Sequence, residues 1–302
     1  MNEYVISRQE LRRWCSIPAE ELADHPDRKM ELHIRQEKDA VNKEVGNLLA
    51  DEIIENNSLG RPTRWILPGG PAGQYDAFAD RVNRENISLK NLYIFHMDTW
   101  LDWQFRLFPE SDQRFSCPGK MKRLLYDRIK PELNVPAPQR FFPDPMQPDL
   151  FDKKIEELGG IDTLVGGVGC NGLVAFNEGP DTCYRHLSLE EYAQSKSRIV
   201  RLRDDTIFAY AEREFGSCFE ALPPNAFTIG MKSMLTAKRA IFVVTTGPWK
   251  QTIIRIALFG EPTVEYPVTL FPAYVPNCVL YCDLNTADHI ISHKYKELST
   301  LK

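Results

Sequence analysis

The 302-residue sequence contains no apolar run that approaches the roughly 20 residues needed to cross a bilayer as a helix. Its first residues, MNEYVISRQELRRW, lack the uninterrupted apolar segment of a secretory signal peptide. The sequence also lacks any block of lysine and arginine that would suit an anionic membrane surface. We therefore predict a cytoplasmic protein with no membrane partner.

Positive charge is not in excess either, because the formal net charge is −5. This balance gives no electrostatic reason to expect a nucleic-acid partner. The seven cysteines are odd in number and too dispersed for a dense disulfide framework, which suits a reducing compartment. No internal repeat or low-complexity segment stands out.

The composition is that of a globular protein with a large core, with 43% apolar and 26% charged residues. Residues 1–35 are charged and interrupted by Pro18 and Pro26, and we interpret them as an N-terminal helical extension. From about residue 60, strand, loop and helix patterns alternate to the end of the chain. The alternation predicts a single α/β domain over 36–302, with a doubly wound, mostly parallel sheet and helices on both faces.

Four predicted strands end in residues that could form a binding site. Residues 161–180, IDTLVGGVGCNGLVAFNEGP, pass from a strand into a glycine-rich turn that includes Gly169. The strand at 65–67 leads into Gly69 and Gly70, and the strand at 240–246 leads to Lys250. A strand at 92–97 ends at Asp98. Because carboxyl ends of parallel strands share one edge of the sheet, we expect these groups to meet in one crevice. A plain turn explains each glycine pair equally well, and a surface lysine explains Lys250.

Asp98 is the strongest candidate for chemistry in this set. A carboxylate at the end of a buried strand is costly unless it is paired, hydrogen-bonded or functional. Its alternative role is to cap the following turn. His96 lies two residues earlier, on the same face of the strand, and is either a structural histidine or a contributor to the site.

We expect no metal and no cofactor. His289 and His293 have a helical i, i+4 spacing that a metal could use, but no third ligand is near them in the sequence. Cys278 and Cys282 lie in a run of bulky apolar residues, a core pattern. Cys170, in the glycine turn, is a conceivable nucleophile without a neighbouring base.

Four motifs resemble the glucosamine-6-phosphate deaminase (isomerase) family: MDTW at 97–100, GGVGCNGLVAFNEGP at 166–180, FTIGMKSML at 227–235 and VVTTGPWK at 243–250. The resemblance covers roughly residues 60–300, and the wider superfamily includes 6-phosphogluconolactonases. It implies a doubly wound α/β fold and a homo-oligomer.

The family's residue roles can be transferred by position. The resemblance implies that Asp98 is the base that moves a proton between C2 and C1 of the opened amino sugar phosphate. It places the phosphate at Gly69, Gly70 and Lys250, and it assigns support of ring opening to Glu178. We add Gly169 and His96 to the substrate-binding set.

Several family residues are replaced in this sequence. The aspartate that orients the family's ring-opening histidine is Asn171, and the histidine itself is Leu173. Pro68 and Pro71 stand in place of two phosphate-contacting threonines, and the phosphate-contacting arginine falls on Ile207. Leucine cannot transfer a proton, which disfavours lactone hydrolysis as well as ring opening.

Two hypotheses remain. The first is an isomerase or deaminase that acts on an open-chain amino sugar phosphate or a related sugar phosphate, with Asp98, Glu178 and Asn171 as the catalytic set. The second is a catalytically degenerate sugar-phosphate binding protein that keeps the fold and part of the pocket. Loss of the histidine and arginine favours the second, whereas retention of Asp98 and Glu178 favours an enzyme.

Overall fold

Helices and strands alternate along the chain in the computed structural model, which describes residues 5–180 and 187–293. The strands are β1 (Glu31–Arg35), β2 (Thr63–Leu67), β3 (Leu92–His96), β4 (Asp98–Leu101), β5 (Arg140–Phe141), β6 (Thr163–Gly166), β7 (Arg198–Arg201), β8 (Asn225–Thr228), β9 (Arg239–Val244) and β10 (Asn277–Asp283). The helices are α1 (Arg8–Cys15), α2 (Ala19–Leu22), α3 (Lys38–Ser58), α4 (Gln74–Glu85), α5 (Cys117–Leu124), α6 (Pro148–Glu157), α7 (Leu189–Ala193), α8 (Asp204–Glu214), α9 (Met231–Met234), α10 (Gln251–Phe259), α11 (Phe271–Tyr274) and α12 (Leu284–Ala287). Within these two ranges, no helix combines the length and the apolar character that a bilayer span requires.

Seven strands form one parallel sheet in the order β1-β10-β9-β6-β2-β3-β5. Its strands are apolar runs because both of their faces are buried. Alternate residues enter two separate cores: Ile66 packs into one with Phe95, and Trp65 packs into the other with Ile94. Helices α3, α4 and α5 contribute to one core, and α1, α2, α6 and α10 contribute to the other. The predicted doubly wound α/β fold is confirmed.

The N-terminal segment combines helix and strand. Trp14 and Leu22, from α1 and α2, are buried in the core that α10 also covers. Strand β1 then pairs with β10 and forms an edge of the parallel sheet. The sheet therefore begins inside the first 35 residues, and the helical part of that segment ends before Glu31.

A second, antiparallel sheet stands over the carboxyl edge of the first. It has the order β4-β8-β7, and Thr228 of β8 lies opposite both Asp98 and Arg198. Met97 alone separates β3 of the large sheet from β4 of the small one. Because β7 leads through α8 to β8, the small sheet and α8 form the second wall of the site.

Asp152 of α6 fixes the small sheet to the large domain. Its buried carboxylate accepts hydrogen bonds from the backbone N–H of Ser197 at 2.8 Å, from the Ser197 hydroxyl at 2.8 Å and from the Ser233 hydroxyl at 2.5 Å. Ser197 immediately precedes β7, and Ser233 lies in α9. This satisfied network fixes where β7, and hence the start of α8, stands relative to the cleft.

Candidate active site

A cleft of about 370 Å³ lies along the carboxyl ends of β9, β6, β2 and β3, which are consecutive neighbours in the sheet. Helix α8 covers it from the other side. Five of the eight site residues predicted from the sequence line this cleft: Gly69, Gly70, Asp98, Gly169 and Lys250. Asn171, Glu178 and His96 do not line it.

Asp98 faces the cleft as the first residue of β4. Within residues 5–180 and 187–293, no group donates a hydrogen bond to its carboxylate, so the turn-capping role does not apply. Burial raises the pKa of Asp98 to about 6, and the nearby charge of Lys120 opposes this rise. At neutral pH the side chain is therefore a carboxylate with unusual basicity and free lone pairs, which suits a general base.

The glycine turn after β6 brings backbone close to the cleft floor. A Cβ on Gly167 would stand 2.8 Å from Cδ of Pro71, so only glycine lets this turn lie against the Gly69–Gly70 turn. A Cβ on Gly169 would collide with the side chain of Leu173, which lines the cleft. Leu173 thus fills space beside the turn with an apolar side chain.

Asn171 and Glu178 contact the start of α8 rather than the cleft. The Asn171 amide donates to the Asp205 carboxylate at 3.3 Å and to the Thr206 hydroxyl at 3.4 Å. Glu178 Oε2 accepts from the backbone N–H of Arg203 at 3.0 Å, while its buried Oε1 has no hydrogen-bond partner among residues 5–180 and 187–293. Burial raises the pKa of Glu178. Their geometry is that of positioning residues that hold α8 over the cleft.

His96 lies beneath the site in the domain core. Its Nε2 is 2.8 Å from the hydroxyl of Tyr126, and its ring stacks on Phe142 with 4.4 Å between centroids. Burial lowers the pKa of His96 to about 3, so the imidazole is neutral. This is the structural histidine considered as the alternative in the sequence, and we leave it out of the proposed site.

Two cations share the indole of Trp249 at one end of the cleft. Lys250 Nζ lies 4.1 Å from the ring centroid and Arg213 Cζ lies 4.2 Å from it. Lys250 also donates to the carbonyl oxygen of Val168. Burial lowers the pKa of Lys250 to about 7 and also lowers the pKa of Arg213. Because no carboxylate of the described chain forms an ion pair with either group, a bound anion would stabilise both charged forms.

A third cation, Lys120 of α5, lies at the Asp98 end. Its Cδ would be 3.3 Å from a Cβ placed on Gly69, so its stem covers the Gly69–Gly70 turn. Arg114 stands at the cleft mouth, with its Cζ 4.8 Å from the centroid of the Phe215 ring. The cleft is therefore positively charged at both ends, apart from Asp98 and Glu214.

Sequence reasoning missed the contribution of α8. Thr206, Tyr210 and Arg213 all line the cleft and recur at i, i+4 and i+7, the spacing of one helical face. That periodicity was the available signal. Ile207, the residue that the resemblance aligns with the family's phosphate-contacting arginine, packs instead into the small core beneath α8.

Other reactive groups fit inert roles. Burial raises the pKa of Cys170, so its thiol is protonated at neutral pH and is a poor nucleophile. His289 contacts the Thr252 hydroxyl at 3.1 Å, and His293 contacts Asp288 at 2.6 Å. In the part of the chain that the structure describes, no three His, Cys, Asp or Glu side chains come together as a metal site.

Known proteins resemble this chain along most of its length, although no protein-family model matches it. The glucosamine-6-phosphate deaminase of Thermoanaerobacter pseudethanolicus is 26% identical over 270 residues, which cover 86% of this chain and 97% of that protein. The protein of the same name from Caenorhabditis elegans is 28% identical over 260 residues, covering 83% of this chain and 88% of the relative.

Solved structures share the fold over a similar extent. A monomeric glucosamine-6-phosphate deaminase superposes with a TM-score of 0.72 at 21% identity, covering 85% of this chain and 99% of that one. The 6-phosphogluconolactonase of Trypanosoma brucei gives 0.62 at 15% identity, covering 86% and 98%. Together these similarities support membership of the glucosamine-6-phosphate deaminase/6-phosphogluconolactonase superfamily.

The resemblance stated from the four motifs is thereby confirmed. The names of these relatives and solved structures support a family of enzymes that act on sugar phosphates. The deaminase/6-phosphogluconolactonase relationship includes both an isomerase-type and a hydrolase-type chemistry. Which of the two chemistries this cleft can support depends on the residues that line it.

Proposed function

We propose that this protein is a sugar-phosphate isomerase or deaminase in which Asp98 moves a proton between adjacent carbons of an open-chain substrate. An amino sugar phosphate is the substrate class we favour. Support comes from the named relatives and, above all, from one observation: the Asp98 carboxylate is basic, accepts no hydrogen bond from the described chain and faces the cleft. Burial of a carboxylate without a hydrogen-bond donor raises the free energy of the folded protein, and a functional role accounts for its presence.

The cleft length suits an extended sugar phosphate. Asp98 follows β3 and Lys250 follows β9, three strand intervals away. At about 4.8 Å for each interval, the two strand ends are roughly 14 Å apart. The Lys250 and Asp98 side chains both line the cleft between these strand ends. We place the phosphate between Lys250 and Arg213 and the reacting carbons at Asp98, with the 69–70 and 167–169 backbone between them.

The proposed reaction begins with the open-chain aldehyde. Asp98 removes the hydrogen from C2, the C2–H electron pair forms a C1–C2 double bond, and the aldehyde oxygen accepts a proton. Asp98 then returns its proton to C1, and C2 becomes an imine as the nitrogen lone pair forms the new double bond. Water adds to the imine, ammonia leaves and the ketose phosphate remains. With a hydroxyl at C2 the same steps interconvert an aldose and a ketose.

The test is a substrate panel assayed for ammonia release and ketose formation. It includes glucosamine 6-phosphate, its epimers at C2 and C4, and the same sugars without phosphate. We expect turnover of at least one phosphorylated amino sugar and none of the unphosphorylated ones at equal concentration. Solvent deuterium incorporation at the reacting carbon, followed by NMR, detects proton transfer even if ammonia release is slow.

The second candidate, a non-catalytic sugar-phosphate binding protein, is favoured by Leu173. This side chain lines the cleft where the resemblance puts the ring-opening histidine. Under that hypothesis calorimetry detects binding of a sugar phosphate, while no substrate shows turnover or deuterium incorporation. That pair of results would refute our proposal. A homo-oligomer and a cytoplasmic location stay predictions of the sequence.

We expect Lys250→Met and Arg213→Met to raise KM for the phosphorylated substrate by roughly 10- to 100-fold each. A charged hydrogen bond to phosphate contributes about 1.5–3 kcal/mol, and tenfold in affinity corresponds to about 1.4 kcal/mol. The measurement is steady-state kinetics, with inorganic phosphate as a competing ligand. The matched control is Arg201→Met, which removes an exposed arginine of β7 outside the cleft. An unchanged KM in both cleft variants would contradict the phosphate placement.

A further inference from the structure

A proton-transfer site needs a donor for the carbonyl oxygen as well as a base. Without that donor, negative charge accumulates on the oxygen as Asp98 removes the carbon-bound hydrogen. Leu173 cannot donate a proton, and His96 is held below the site by Tyr126. The donor must therefore be another group on the cleft wall.

Tyr210 of α8 lies near Asp98, on the wall that the small sheet and α8 form. Asp98 and Trp100 lie two residues apart in β4, so they project from the same face of the strand. The Tyr210 ring packs edge-on against Trp100, with centroids 5.4 Å apart and an interplanar angle of 87°. It also contacts Phe176, at 6.4 Å between centroids. These two rings hold the phenol over the strand that carries the base.

The Tyr210 hydroxyl is available to a substrate. It lines the cleft, and in the described ranges it makes no hydrogen bond. By contrast, the hydroxyls of Tyr75, Tyr126 and Tyr192 each contact a protein atom at 2.7–2.9 Å. Burial raises the pKa of Tyr210, and the negative charge of Asp98 raises it further. The phenol is therefore protonated at neutral pH and can only begin a reaction as a donor.

The other proton carriers on the wall fit this role less well. Lys120 lies with its stem on the Gly69 turn, and its charge lowers the pKa of Asp98. Lys250 donates to the Val168 carbonyl at the far end of the cleft. Cys117 is buried, and burial raises the pKa of its thiol. Tyr210 is a neutral donor that lines the cleft on the same wall as the base.

We propose that Tyr210 donates the hydrogen bond and the proton to the substrate's carbonyl oxygen beside Asp98, an assignment that rests on the proposed function. As Asp98 takes the C2 hydrogen, the C1–oxygen π pair moves to oxygen and receives the phenolic proton. The product of this half-reaction is the neutral enol, with Asp98 protonated and Tyr210 as phenolate. The phenolate then removes a proton from the nitrogen or oxygen on C2 as Asp98 protonates C1, so both groups return to their starting forms.

The test is Tyr210→Phe, which keeps both ring contacts and removes one oxygen atom. We expect kcat to fall by about 10²–10³-fold, the usual cost of losing one donor to a developing oxyanion. KM should stay within about threefold of the unmodified protein, because the donor acts mainly on the transition state. Solvent deuterium incorporation should slow by the same factor as product formation. The matched control is Tyr274→Phe, which removes a partly exposed hydroxyl outside the cleft and should leave kcat unchanged.

The outcomes separate the two proposals. An active wild-type protein whose Tyr210→Phe variant keeps its kcat within threefold would overturn the Tyr210 assignment alone. A variant that changes only KM, or that loses activity together with a lowered Tm, would overturn it in favour of a packing role. A wild-type protein without turnover or deuterium incorporation would overturn the proposed function and this inference with it.

Discussion

Replacing Asp98 by asparagine is expected to lower kcat by about 10²–10⁴-fold with little change in fold or substrate binding. General base catalysis contributes a factor of that size, and an amide cannot accept the carbon-bound proton. The change is isosteric, and no described group donates a hydrogen bond to the carboxylate, so the cleft has no polar contact there to lose. Ammonia release and solvent deuterium incorporation measure the loss, and calorimetry with the sugar phosphate checks that binding remains.

The pH dependence and a matched acid provide the controls for Asp98. The base acts as a carboxylate, and its pKa of about 6 means that kcat/KM should fall tenfold per pH unit below that value. Asp80→Asn removes an exposed carboxylate of α4 and should leave both rate and pH profile as they are. A rate that is flat down to pH 5, or an Asp98→Asn variant as active as Asp80→Asn, would exclude Asp98 as the base.

Replacing Arg255 by methionine is expected to lower the free energy of unfolding by about 3–5 kcal/mol. The Arg255 guanidinium is fully buried and donates to the backbone carbonyls of Trp14 at 3.1 Å, Ile17 at 2.9 Å and Ala287 at 2.8 Å. Each buried acceptor that loses its donor costs about 1–3 kcal/mol, and the Trp14 carbonyl keeps a backbone partner. The corresponding fall in Tm is roughly 6–20 °C.

Urea unfolding and limited proteolysis measure this effect. Because Arg255 joins α10 to the end of α1, to the segment after α1 and to the end of α12, cleavage of the Arg255→Met variant should begin near residues 16–18. Arg61→Met removes an exposed arginine without a side-chain partner in the described chain and should unfold as the unmodified protein does. Equal stability of the two variants would mean that the three carbonyls find other donors.

Much of the large sheet was predictable because its strands are apolar runs that are buried on both faces. Leu92–His96 and Arg239–Val244 lie almost where the pattern placed them, and their carboxyl ends converge as the topology rule requires. The small sheet was not predictable in the same way. Its strands have four residues each and come from 98–101, 198–201 and 225–228, so no local pattern indicates that they pair. Tertiary packing over long sequence separations decides such pairing.

The sequence predicts the cleft residues that follow the strands of the large sheet. It does not predict the cleft residues of α8. The sequence puts Glu178 next to the glycine turn, but the backbone reverses at Ala175, whose φ is +53°, and carries Glu178 toward Arg203. Arg213 and Tyr210 lie more than 100 residues after Asp98 in the chain. Their place in the cleft follows from how Asp152 and Ser197 hold β7, a contact with no signature in the sequence.

The division of the protein into two sheets separates the proposed reacting groups from the loops on the floor of the cleft. Asp98 belongs to β4 and Tyr210 packs on Trp100 of the same strand, so both side chains are supported by one strand of the small sheet. Lys250 and the glycine turns instead follow strands of the large sheet. Mutations in those floor loops can therefore adapt the protein to longer, shorter or differently charged sugars in the course of evolution while the reacting carbons keep the same neighbours.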